Sequence, residues 1–170
     1  MNRSSTSSTS PVSSVSSVIA SVSSLPDFDP RLVPVLGVDA HLPAVPGEQQ
    51  TPQSLRARFA HPPVWEPEVV LEKKFMDREP AHASVLLAIV MREQPMVLLT
   101  ERTAHLSTHS GQVAFPGGRA DPEDATPAAT ALREAQEEVG LALEYVEVLG
   151  NLATYVTGSS FIITPVVALV

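Results

Sequence analysis

Glu134, Glu137 and Glu138 fall within one short run, and carboxylates so spaced could hold a hard divalent cation through oxygen. In a helix, at about 100° per residue, Glu134 and Glu138 sit roughly 40° apart with Glu137 beside them. Like charges at i and i+4 repel by roughly a few tenths of a kcal/mol. Arg133 supplies one positive charge nearby. On the helix alone, a solvated acidic face is the simpler reading. The residues upstream reverse that balance. Phe115-Pro116-Gly117-Gly118 is a turn whose glycines permit close backbone approach, and it feeds a loop carrying Asp121, Glu123 and Asp124 into the acidic helix. Main-chain carbonyls there could ligate a metal, and glycine amides could face phosphates.

These residues need elements to hold them. Thr126-Pro127 is a helix start and Gly140 a helix stop, and Ala128, Leu132, Ala135 and Val139 make an apolar stripe between them. Ala83–Met91 is a near-continuous apolar run, as expected of a strand covered on both faces. Further strands are predicted at Met96–Thr100, Gln112–Phe115, Glu144–Leu149 and Phe161–Val170. Strands before and after one helix point to an α/β or α+β sandwich. A second, short helix is predicted over 52–60, with Thr51 as cap, Pro52 in the first position and His61-Pro62-Pro63 as its end.

The segment Gly118–Leu141, GRADPEDATPAATALREAQEEVGL, resembles the Nudix box, usually written G-x5-E-x7-R-E-U-x-E-E-x-G-U with U apolar. Arg133, Glu134, Ala135, Glu137, Glu138, Gly140 and Leu141 fall in register. Asp124 stands where the box has Glu, with one extra residue before Arg133. That departure is similar to the coenzyme A pyrophosphatase branch. The preceding segment Leu98–Gly118, LLTERTAHLSTHSGQVAFPGG, resembles the signature of that branch, with Arg102, Gly111, Phe115, Pro116, Gly117 and Gly118 in place. Thr103 replaces Ser or Ala, and Ser107 stands where the signature has Arg, which removes a phosphate contact.

The resemblance implies a Nudix-type α/β/α sandwich around a mixed sheet. It implies hydrolysis of the pyrophosphate of coenzyme A or its acyl derivatives to 3′,5′-ADP and 4′-phosphopantetheine products. Mg²⁺ or Mn²⁺ would be held by Glu134 and Glu138, with Glu137 as a further ligand or the group positioning water, and with the Gly118 carbonyl completing the sphere. Arg133 would hold a glutamate in its ligating rotamer, while Asp124 and Gly140 would be structural. Gly111, Phe115 and Gly117 would face substrate. Arg102 suits either an anion clamp or a surface ion pair. The general base is not readable from the residues. Two alternatives carry different chemistry: cleavage of another nucleoside diphosphate derivative such as ADP-ribose, or a non-catalytic nucleotide- or protein-binding module.

Composition bounds the remainder. The chain has 170 residues, no cysteine and a net charge of -8, with 19 acidic against 11 basic residues. This excludes a disulfide scaffold and a thiolate site, and no nucleic-acid partner is expected. Of those acids, Asp121, Glu123, Asp124, Glu134, Glu137 and Glu138 cluster around the box. The first 24 residues include 12 serines, too polar to fold alone, and prolines recur through residues 25–50. A domain plan follows: a disordered Ser/Pro-rich arm over 1–50, a short helix and extended linker packing on the domain over 51–80, and the Nudix-like domain over 81–170. Broken apolar runs argue against a signal peptide and a membrane span, so a cytoplasmic setting is expected. The expected partner is a small-molecule substrate, with a homodimer as the assembly considered. His105 and His109, at i and i+4, have no third ligand nearby in sequence and favour a surface role over zinc. Phe161–Val170 (FIITPVVALV) has the character of a core strand without a cap, so the domain is expected to need further elements beyond it.

Overall fold

A computed structural model describes residues 32, 34–38, 41–67, 71–74, 76–101 and 111–170. Arg102, Thr103, His105, Ser107 and His109 lie outside the described residues. The chain divides into two units, Met1–Pro43 and Ala44–Val170. In the first, residues 34–38 and 41–43 are exposed. Everything that follows concerns the second.

The second unit is built on two long neighbouring strands. Strand β1 (Ala81–Val90) runs parallel to β8 (Phe161–Leu169), from Ala81 opposite Phe161 to Ile89 opposite Leu169. Their sequences suit burial, being rich in Val, Ile, Leu and Ala. On its other side β1 pairs antiparallel with β5 (Gly117–Arg119) through its first half and with β2 (Met96–Val97) at its far end. Strand β8 pairs antiparallel with β6 (Glu147–Asn151) and β7 (Tyr155–Val156). A separate ribbon joins β3 (Thr100–Glu101) to β4 (Val113–Ala114). The sheet is therefore mixed.

Pro165 lies in the middle of β8, where a missing N–H would ordinarily break a ladder. Its carbonyl accepts from Leu152 N at 2.9 Å, so its nitrogen faces the same side. That side is the gap between β6, which ends opposite Val166, and β7, which begins opposite Ile163. The proline thus costs no sheet hydrogen bond.

Helix α2 (Pro127–Val139) packs on one face of the sheet. Thr126 Oγ1 accepts from Ala129 N at 3.1 Å, and Gly140 closes the helix at φ 67. Ala131 and Ala135 are fully buried against Leu86, Ala88, Val166 and Ala168, and Thr130 is buried with them. The buried stripe is rotated from the expected one. Val139 is 38 % exposed, while Ala131, four residues before Ala135 and so on its face, sits at the contact. Small side chains let helix and sheet approach closely.

Helix α1 (Pro52–Ala60) forms as its sequence predicts, with Thr51 Oγ1 accepting from Ser54 N at 3.2 Å. Its residues are not deeply buried, and tertiary contacts hold it in place. Arg56 donates to both carboxylate oxygens of Glu147 at 2.7 and 2.6 Å, and the Phe59 ring lies against Gly150. Leu55 and Ile89 line one cavity, which puts α1 on the face opposite Leu86 and Ala88. The architecture is helix, mixed sheet, helix.

Several boundaries differ from the sequence-based expectation. Gly47–Gln50 is a 3-10 turn, so order begins before residue 51. The single strand expected over Met96–Thr100 is two short ones in different sheets. Of Glu144–Leu149, residues Leu143–Tyr145 form a 3-10 turn and the strand starts at Glu147. Glu147, at the start of that strand, pairs with Arg56. Among the described residues no helix is long and apolar enough to cross a membrane.

Packing at the helix–sheet contact gives a direct comparison. Ala131→Leu should cost about 1–3 kcal/mol by overpacking. Val139→Leu, on the exposed side, should change stability by less than about 0.5 kcal/mol. Urea unfolding of the two variants measures both; equal losses would contradict the assigned buried face.

Candidate active site

The glycine pair expected to be a free turn is strand β5, hydrogen-bonded into the sheet edge. Gly118 lies opposite Ser84, and Gly117 opposite Val85. The flanking bonds, Leu86 N to Pro116 O at 2.8 Å and Ala120 N to His82 O at 2.9 Å, fix the alternation of the ladder. Gly118 therefore directs its N–H and C=O at β1, while those of Gly117 point away. Gly117 N donates to Glu138 Oε2 at 3.2 Å. This corrects the expectation of a ligating Gly118 carbonyl. The carbonyl on the carboxylate side belongs to Gly117.

Gly117 is sterically required, and Gly118 leaves the space that the Glu134 carboxylate occupies. A Cβ on Gly117 would collide with Ser84 O and lie 2.7 Å from Val85 Cα. A Cβ on Gly118 would strike the Glu134 carboxylate, with both oxygens at 2.5 Å. Glu134 thus packs directly over Gly118, and Glu138 reaches Gly117.

Arg133 ties the box together. Its Nη2 donates to Asp124 Oδ2 at 2.9 Å and to the Arg119 carbonyl at 3.0 Å, and its Nε donates to Asp124 Oδ1 at 3.2 Å. Nη1 donates to Glu134 Oε1 at 2.9 Å and, more weakly, to Glu137 Oε2 at 3.4 Å. Asp121 lies 3.6 Å away. Asp124 is well covered, its side chain 7 % exposed, and it also accepts from Asp121 N at 3.0 Å. The Arg133 hydrogen bonds and the Asp121 amide hold the Asp124 carboxyl down at about 2. Asp124 in turn, followed by Glu134, raises the Arg133 guanidinium above its ordinary range. The shorter Asp side chain, displaced by one residue from the box position, still reaches the arginine.

Glu134 and Glu138 meet the glycine pair, whereas Glu137, 60 % exposed, turns toward Arg133. Among the described residues no three His, Asp or Glu side chains converge on one point. Glu134 and Glu137 both pair with Arg133. The donor chemistry nonetheless suits a hard cation. Among the described residues, the ion pairs of Asp121, Asp124, Glu134 and Glu137 all run to this single guanidinium. One positive charge does not neutralise four carboxylates and Glu138, and every available ligand atom is oxygen.

Phe115 is half-buried just before β5. Gly111 is exposed at φ 69, and a side chain there would meet open space. The sequence pattern did not mark Ser84, whose strand receives Gly118. Its only sequence signal is a polar residue inside the apolar run of β1.

A family model for the NUDIX domain matches residues 80–164, half of the chain. The chain belongs to the Nudix family. The Nudix hydrolase NudL of Yersinia enterocolitica is 55% identical over 89 residues, covering 52% of this chain and 46% of that protein. NudL of Photorhabdus laumondii is 52% identical over 88 residues, covering 52% and 47%. The chain thus spans about half the length of the curated relatives it matches. Among solved structures, the Nudix hydrolase RenU of M. smegmatis aligns with a TM-score of 0.45 at 30% identity, over 54% of this chain and 62% of that one.

The depressed Asp124 carboxyl sets a pH test. Its contribution to stability is fully present above the ordinary carboxylate value of 3.8 and fades as pH falls through about 2. Asp124→Asn should therefore lower the melting temperature at pH 7 and converge on the unsubstituted protein as pH approaches 2. Thermal melts at pH 7, 4 and 2 measure this; a pH-independent difference would contradict the ion-pair origin.

Proposed function

We propose that the Nudix domain of this chain catalyses metal-dependent hydrolysis of a nucleoside diphosphate derivative, with coenzyme A or an acyl-coenzyme A as substrate. The observation that carries the reading is the convergence of Glu134 and Glu138 on the Gly117–Gly118 edge, braced by Arg133. Glu134, Glu138 and the Gly117 carbonyl would hold Mg²⁺ or Mn²⁺, with Glu137 as a further ligand or the group that orients water. When bound, the cation supplies charge neutralisation to the diphosphate and lowers the pKa of an attacking water.

The chain's own residues do the rest. Arg133 fixes the Glu134 carboxylate against Gly118 by a charge-assisted hydrogen bond. Asp124 and the Arg119 carbonyl fix Arg133 in turn. The absence of side chains at Gly117 and Gly118 lets a diphosphate approach the backbone. In the reaction, water oxygen bonds to phosphorus, the bridging P–O bond breaks, and the leaving phosphate departs with the electron pair. The products from coenzyme A are 3′,5′-ADP and 4′-phosphopantetheine.

The coenzyme A assignment is supported by the motif over residues 98–118 and by the departure at Asp124, both of which resemble that branch. Arg102 and Gly111 of the motif are proposed to face substrate. A cysteine-free chain suits a cytoplasmic setting.

With Mg²⁺ present, coenzyme A should be cleaved with higher kcat/KM than ADP-ribose, and Glu138→Gln should lower kcat by about 100-fold or more. Product chromatography decides the first point and steady-state kinetics the second. Equal cleavage of ADP-ribose would shift the assignment to a general pyrophosphatase. Near-full turnover by Glu138→Gln would remove the proposed metal site.

A further inference from the structure

Across the sheet from the glycine pair lies a second concave feature. A cavity of about 380 Å³ opens between α1, the segment that follows it, and the end of β6. Phe59 and Trp65 supply aromatic walls, Leu152 and Pro62 apolar ones, and Arg58 a charged group. Trp65 is 65% exposed, so its ring is open to a stacking partner. Gly150 forms part of the lining because a Cβ there would lie 3.0 Å from the Phe59 ring. Arg58 is the cavity's charged side chain, and among the described residues no carboxylate pairs with it.

The register relates this cavity to the carboxylate site. Leu152 N donates to Pro165 O, Pro165 lies opposite Val85, and Val85 lies opposite Gly117. Gly117 and Leu152 therefore stand in one row, three strand steps apart, or about 14 Å. Val85 and Pro165, both half-buried, project between them on the same face as α1, opposite Leu86 and Val166. An apolar floor thus runs from the glycine edge to the aromatic cavity.

We propose that this cavity binds the planar base of the nucleotide substrate. The base stacks on Trp65, and Arg58 contacts an adjacent phosphate. This rests on the reading that the substrate is a nucleoside diphosphate derivative. Aromatic π-faces beside one unpaired guanidinium form the complement of a phosphorylated nucleoside. A purely apolar ligand would leave Arg58 without a role.

Trp65 is the chain's one tryptophan, so it reports on its own site. Adenosine 5′-monophosphate, titrated without added metal, should quench Trp65 fluorescence saturably. Arg58→Ala should raise Kd by about tenfold, with circular dichroism confirming that it folds. 4′-Phosphopantetheine should leave the fluorescence unchanged. Absence of saturable quenching by the nucleotide, or quenching insensitive to the Arg58 substitution, overturns the proposal. The two readings fail separately. Quenching without coenzyme A hydrolysis upholds the base site and removes the catalytic assignment, whereas hydrolysis without quenching removes the base site alone.

Discussion

The Arg133 guanidinium is the point through which the carboxylate site is organised. One planar fork reaches Asp124 from the loop, the Arg119 carbonyl from β5 and Glu134 from its own helix. Lysine could not do this, because a single ammonium lacks the fixed angles of five donors. The loop, the sheet edge and the helix are therefore pinned together by hydrogen bonds of defined direction. That constraint sets Glu134 against Gly118 and leaves Glu138 within reach of Gly117.

The fold supplies the rigidity this arrangement needs. The parallel pair β1 and β8 forms a buried platform, and α2 lies on it through Ala131 and Ala135. Alanines at the contact hold the helix close, so Glu134 and Glu138 on its flank reach the sheet edge. Gly117 and Gly118 of β5 then give that edge a backbone without side chains. On the opposite face the Arg56–Glu147 pair and the Phe59–Gly150 contact keep α1 against β6. The same contacts shape the wall of the aromatic cavity.

Local signals in the sequence were strong where structure is local. Thr51, Pro52, Thr126, Pro127 and Gly140 mark both helix boundaries, because capping depends on neighbouring residues alone. The Arg-Glu-x-x-Glu-Glu spacing revealed the carboxylates for the same reason. Strands β5 and β7 were not readable. Gly117–Arg119 has little intrinsic preference for extended structure and becomes a strand only because β1 offers a partner. Which glycine carbonyl faces the carboxylates also depends on register, so the motif points to Gly118 where the ladder selects Gly117. The stripe through Leu132 and Val139 passes beside Ala131, whose small size lets helix and sheet meet.

Removal of a positive charge beside a cation site should, by Coulomb's law alone, tighten cation binding. If Arg133 acts chiefly by holding carboxylates in place, the opposite follows. The direct measurement is Mn²⁺ affinity, from electron paramagnetic resonance of free Mn²⁺, for the unsubstituted protein and for Arg133→Gln. Thermal melts would verify that the variant folds. Affinity weaker by about tenfold or more is predicted for Arg133→Gln. Equal or tighter binding would contradict the positioning role and, with it, the organisation of the site described above.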